Sequence, residues 1–144
     1  MQRRVRILIA DDHPPSRNGL RTLMASWPAV EAVYEAADGL EALQLAEDLQ
    51  PDVVLMDVRM PVMDGLEATR LLKSRWPAIK IIALSMSDGY RADAMTAGAD
   101  GFLTKGGPAK DLLDTVSRIG GTNCSPKERA STMASRPICA AYPP

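Results

Sequence analysis

No apolar run in this chain is long enough to cross a membrane, so no membrane role is expected. The basic start, Met1-Gln2-Arg3-Arg4, is followed by only one short apolar stretch, Val5 to Ala10. That is too short for a secretory core, and a cytoplasmic location is expected. Cysteine is scarce: Cys124 and Cys139 both lie in the last 21 residues. A disulfide is not expected in the cytosol. One histidine and two distant cysteines give no zinc-like spacing. An excess of charge of one sign is missing too. The net charge is −1, with 14 basic and 17 acidic residues up to Gly120 and three against one beyond it. Neither part carries the basic face of a nucleic-acid binder. Arg3, Arg4 and Arg6 flank a strand and read as solvated.

What is present is an ordinary soluble balance over 144 residues, 46% hydrophobic and 24% charged. Val5 to Ala10 reads as a first strand. Pro14 and Pro15 suit a helix start, and Leu20, Leu23, Met24 and Trp27 follow as an apolar stripe that Pro28 stops. Val30 to Ala36 looks like an edge strand. Asp38-Gly39 opens a second helix with Ala42, Leu45, Ala46 and Leu49 on one face. After the strand at 53–57, Asp64-Gly65 opens a third helix with Ala68, Leu71 and Leu72 inward. Ile79 to Ser85 is a fourth strand, and Tyr90 to Ala97 a short helix. Gly101 to Lys105 is a fifth strand, and a fifth helix from Pro108 presents Leu112, Val116 and Ile119. Asp-Gly often marks a hairpin. Here the pairs at 38, 64 and 88 precede helical patterns, so helix entry is the better reading. Strands alternating with helices imply parallel βαβ units with right-handed crossovers. The pattern stops at Gly120, giving a domain over 1–120 and an expected disordered tail over 121–144.

The stretch Val53-Val54-Leu55-Met56-Asp57-Val58-Arg59-Met60-Pro61 organises the rest. Its apolar run suits a strand buried on both faces, and Asp57 falls at the carboxyl end, where open α/β sheets bind ligands. Asp11 and Asp12 end the first strand, Ser85 the fourth and Lys105 the fifth. All should meet at one edge. Two unit charges about 5 Å apart cost roughly 3 kcal/mol at an effective dielectric of about 20. A hard divalent cation such as Mg²⁺ offsets that cost. Asp57 could then stay ionised as a nucleophile toward a phosphoryl group, with Lys105 and Ser85 holding its charge.

With Asp11-Asp12, Asp57, Met60-Pro61-Val62-Met63-Asp64-Gly65, Ser85 and Gly98-Ala99-Asp100-Gly101-Phe102-Leu103-Thr104-Lys105 in this order, residues 4–119 resemble the receiver domain of two-component response regulators. Asp12-His13-Pro14 with Arg17-Asn18-Gly19-Leu20 is similar to the subgroup that usually precedes a helix-turn-helix DNA-binding domain; no helical pattern for one follows Gly120. The resemblance implies a flavodoxin-like, doubly wound α/β fold, a five-stranded parallel sheet in order 2-1-3-4-5 flanked by five helices. It implies that Asp57 accepts a phosphoryl group from a sensor histidine kinase. Asp12, Asp57 and the backbone carbonyl of Arg59 would ligate Mg²⁺ directly, with Asp11 acting through water. Lys105 would pair with the phosphate. Ser85 and Phe102 would form the switch, Phe102 moving from outward to inward and altering the face of the fourth helix, fifth strand and fifth helix. A homodimer on phosphorylation is a candidate partner, alongside the kinase. The chain departs from the family in carrying Gly106-Gly107 between Lys105 and Pro108.

Two other classes fit these residues less well. An aspartyl-nucleophile phosphatase would want a second acid two residues after the nucleophile, and position 59 is Arg. A pure interaction module would not need the acid pair with Asp57 and Lys105. The expected protein is therefore not an enzyme on external substrates, but a phosphoacceptor that assists its own phosphoryl transfer and hydrolysis.

Overall fold

The computed structural model describes residues 4–120. The expected tail over 121–144, with both cysteines, lies outside the described residues. The chain alternates β1 (Val5–Ala10), α1 (Pro14–Ala25), β2 (Val30–Ala36), α2 (Gly39–Leu49), β3 (Val53–Asp57), α3 (Gly65–Arg75), β4 (Lys80–Ser85), α4 (Arg91–Ala97), β5 (Gly101–Thr104) and α5 (Ala109–Ile119). A 3-10 turn at Asp88–Tyr90 leads into α4. The sheet order is β2-β1-β3-β4-β5, and every pairing is parallel.

The burial pattern explains the order. All five residues of β3 are buried, and β1 and β4 are nearly so, as central strands covered on both faces must be. The edge strands β2 and β5 are only partly buried. Alternate residues of one strand serve opposite layers. Val54 and Met56 pack with Leu8, Ile81, and the Ala42, Leu43, Ala46, Ala68 and Leu72 of α2 and α3. Val53 and Leu55 pack with Ile7, Ile9, Leu84, Met24 of α1, and Leu112 and Val116 of α5. A smaller cluster of Val58, Ala83, Ala94, Ala99 and Phe102 fills the space under α4.

Asp38 and Asp64 cap α2 and α3, each carboxylate accepting the N–H three residues on, at 2.8 and 2.9 Å. The Asp-Gly pairs at 38 and 64 are thus helix entries, for the reason that short acids satisfy the free N–H groups of a first turn.

Several side chains differ from the expected stripes. α1 ends at Ala25, so Trp27 packs from the following turn, where its N–H reaches the Met24 carbonyl. In α2, Leu43 is buried and Leu45 and Leu49 only half so. In α3, Leu71 is 37% exposed and Thr69 takes the buried place. β4 begins one residue late, and β5 ends at Thr104, leaving Lys105 just past the strand.

Candidate functional site at the carboxyl edge of the sheet

Strands β1 and β3 are neighbours, while the chain connections leaving them run to opposite sides. That opens a crevice at their carboxyl ends. Asp11 and Asp12 follow β1, Asp57 ends β3, Ser85 ends β4 and Lys105 follows β5. The fold brings all five to one edge. An open cleft of about 620 Å³ there is lined by His13, Ser16, Asp57, Arg59, Ser85, Met86, Ser87, Tyr90 and Lys105.

The three acids differ in how well they are served. Asp11 is buried and saturated. Its Oδ1 accepts the His13 N–H at 2.9 Å, and its Oδ2 accepts from Ser16 Oγ at 2.6 Å and Lys105 Nζ at 2.8 Å. Burial acts to raise its pKa. The Lys105, Ser16 and His13 hydrogen bonds outweigh that and hold the carboxyl below the usual range. Asp57 is buried too, with Lys105 Nζ at 3.3 Å and the Arg59 N–H on its carboxylate. Burial pushes its pKa up. Lys105 pulls against that, and the negative Asp11 adds to the rise, so the net shift is upward. Asp12 is exposed. Burial disfavours the Lys105 ammonium, but its bond to Asp11 and the charges of Asp57 and Asp11 raise its pKa overall.

Asp11, Asp12 and Asp57 each place a carboxylate oxygen within 4.8 Å of the others. Among the described residues, Lys105 is the cation paired with this cluster, through Asp11 and Asp57, so three carboxylates stand against one ammonium. This all-oxygen donor set, with Asp12 open to solvent and Asp57 holding only one side-chain partner, suits a hard divalent cation. Asp11, with both oxygens already engaged, suits a water-mediated place.

Asp57 is fixed from behind. The Gly65 N–H donates to the Val58 carbonyl at 2.9 Å, and a Cβ on Gly65 would lie 1.9 Å from the Asp57 carbonyl oxygen. Only glycine lets α3 start this close to the strand end. The intervening loop is tight. The Met63 N–H reaches the Pro61 carbonyl at 2.7 Å around Val62, whose φ is +68°.

Ser85 is buried, and its Oγ accepts the Ser87 N–H at 3.1 Å, which leaves its own proton free to donate into the cleft. Phe102 is already inward, against the outward start expected from sequence. Ala83, Ala94 and Ala99 leave room for the ring, and a phenylalanine has no hydroxyl that would hold it at the surface. The Arg91 guanidinium lies 4.8 Å from its centroid.

Sequence reasoning missed four contributors. Ser16 and the His13 N–H complete Asp11, and Arg17 Nη1 donates to the Asp11 carbonyl at 2.7 Å. A polar residue in the first turn after a strand-end acid faces the same edge, which was a usable signal for Ser16. Tyr90, bonded to the Arg59 side chain, carried no local signal.

Comparison with known proteins agrees with this geometry. Residues 7–117 match the family model for the response regulator receiver domain. The chain is 38% identical over 130 residues to the transcriptional regulatory protein DegU of Brevibacillus brevis, covering 88% of this chain and 55% of DegU. It is 39% identical over 117 residues to the response regulator GacA of Pseudomonas viridiflava, covering 80% of this chain and 55% of GacA. The chain spans about half the length of these curated relatives. A LuxR-family two-component response regulator from Aurantimonas sp. SI85-9A1 superposes with a TM-score of 0.77 at 35% identity, covering 82% of this chain and 86% of that one. The response regulator domain of Thermotoga maritima CheB does so with a TM-score of 0.76 at 32% identity, covering 83% and 98%.

Proposed function

The chain belongs to the response regulator receiver family, and from that premise we propose that it accepts a phosphoryl group on Asp57 from a phosphohistidine of a sensor kinase. A carboxylate oxygen of Asp57 attacks phosphorus, the P–N bond to the kinase imidazole breaks, and the imidazole leaves with its electron pair and takes up a proton. Water later attacks phosphorus, the P–O bond to Asp57 breaks, and inorganic phosphate leaves with the carboxylate restored. The observation that supports this reading is the charge deficit: three clustered carboxylates against one ammonium.

Asp12, Asp57 and the Arg59 carbonyl would hold Mg²⁺ directly, with Asp11 acting through water. The ion would supply charge neutralisation of the transferring oxygens. Lys105 pairs with the incoming oxygens, and its bond to Asp11 keeps it aimed into the cleft. Ser85 donates its free hydroxyl proton to the same oxygens.

The signal leaves through Ser85 and Phe102 toward the α4, β5 and α5 face. Moving a 1:99 equilibrium to 99:1 needs about 5.5 kcal/mol, and one charge-assisted hydrogen bond supplies about 1.5–3 kcal/mol. Ser85 therefore acts with Lys105 or a bound partner, such as a second copy of the chain. No helix among the described residues is long and apolar enough to cross a membrane. We place the domain in the cytoplasm, with its boundary near Gly120 and without specific nucleic-acid binding of its own.

The test is labelling by acetyl phosphate. Asp57→Asn keeps the shape and removes the nucleophile, so the parent should label and the variant should not. A fully labelled variant would move the acceptor elsewhere.

A further inference from the structure

The Arg59 and Tyr90 side chains line the cleft and take no part in the chemistry above. Arg59 lies two residues after Asp57, and its backbone N–H serves the Asp57 carboxylate. Its side chain instead reaches across the cleft. Nη1 donates to the Tyr90 hydroxyl oxygen at 2.8 Å, and the guanidinium carbon lies 6.0 Å from the ring centroid. The two residues are 31 apart in sequence. This bond ties the loop after β3 to the turn that opens α4.

Tyr90 faces two ways. Its hydroxyl lies at the cleft, while its ring packs on the Val58, Ala83, Ala94, Ala99 and Phe102 cluster. Arg91, the next residue, stacks on Phe102. Contacts thus run unbroken from the cleft to Phe102.

A guanidinium bonded to a neutral phenol is weakly committed. It pairs better with an oxyanion, which it can grip through two parallel bonds. A phosphoryl group on Asp57 would bring about −1.5 to −2 charges and three acceptor oxygens into the same cleft. We propose that the Arg59 side chain is a second anion-binding group of this site, parked on Tyr90 and drawn onto the anion held at Asp57, which frees Tyr90 and the turn before α4 to repack. The proposal rests on the phosphoacceptor reading of Asp57 and deepens it. It also gives the switch a different moving part. Phe102 already lies inward, so Tyr90 is the ring with a bond to lose.

The test measures beryllofluoride affinity in Mg²⁺ for the full chain and for two variants. Arg59 is exposed, and Tyr90→Phe keeps the ring, so neither change removes core. Arg59→Gln loses the gripping group and should bind about tenfold more weakly, the worth of one charge-assisted bond. Tyr90→Phe loses the competing acceptor and should bind severalfold more tightly. A structural strut would shift both variants in the same direction. In the parent, the NMR signals of the Tyr90 ring and the Arg59 Nε–H should move together on binding. In Arg59→Gln the Tyr90 ring should stay still while the Ser85 and Lys105 amides still move. Equal affinities, shifts of one sign, or a shift in one variant only would overturn the latch while leaving the acceptor intact. A parent that binds no beryllofluoride would overturn the phosphoacceptor reading, and the latch with it.

Discussion

At the amino edge of the sheet, Asp100 Oδ2 accepts from Lys73 Nζ at 3.0 Å and from the Ile81 N–H at 2.9 Å, while Asp52 Oδ2 accepts the Arg6 N–H at 2.8 Å. Lys73 also closes the Pro77 and Ile79 carbonyls, each at 2.9 Å. At the carboxyl edge, Asp11, Asp12 and Asp57 cluster, and Lys105 is the cation paired with them among the described residues, through Asp11 and Asp57. The residue types are the same, and the balance of charge is not. Acids that accept from the backbone N–H of a neighbouring strand hold strand ends in register. Acids that outnumber the cations paired with them store a charge deficit, which a cation and a transferable phosphoryl group can use.

Replacing the lysine at each edge should separate the two cases most widely. Lys105→Met leaves two buried carboxylates without their cation and should cost about 3 kcal/mol; the low end of the usual range fits a lysine side chain that is 15% exposed. Lys73→Met should also destabilise, through three lost hydrogen bonds. Millimolar Mg²⁺ should restore much of the first loss, because a ligand that binds only the folded state stabilises it. It should leave the second untouched. Thermal melts with and without Mg²⁺ decide this, and equal rescue at both edges would erase the distinction.

The pH dependence of stability sharpens the contrast within the carboxyl edge. The folded pKa of Asp57 is raised from 3.8, so its contribution to stability is full at low pH and is lost as pH rises through that value toward the folded pKa. Asp11 is lowered from 3.8, so its contribution is present above that value and is lost as pH falls through the folded pKa. Neutralising Asp57 as Asn should therefore raise the melting temperature by a few degrees at neutral pH. Asp11→Asn should lower it. Melts of both variants from pH 3 to 7 check the signs.

The smallest effect expected is at Ser16. Ser16→Ala removes the 2.6 Å bond to Asp11 and should cost about 1.5 kcal/mol, as a lost bond to a charged group does. A urea melt measures it, and no loss would mean that Lys105 and the His13 N–H satisfy Asp11 without it.

Most of the frame was legible because it depends on local rules. The apolar runs of β1, β3 and β4 leave few alternatives to buried parallel strands, and Asp38 and Asp64 announce their helices by cap chemistry. Asp11, Asp12, Asp57, Ser85 and Lys105 could be placed because each stands at a strand end. What stayed hidden depends on tertiary packing. Nothing local keeps Leu71 outside and puts Thr69 inside. The inward Phe102 depends on three alanines from β4, α4 and the loop after it. The Arg59–Tyr90 bond joins residues that no periodicity relates.

The most direct measurement is the chemical identity of the phosphorylated residue. The full chain, incubated with acetyl phosphate and Mg²⁺ and then reduced with borohydride, should carry the reduction product at residue 57 and at no other acid, as read by peptide mass spectrometry. Modification of Asp11, Asp12 or an amino-edge acid such as Asp100, with Asp57 unmodified, would contradict the assignment of the acceptor to Asp57.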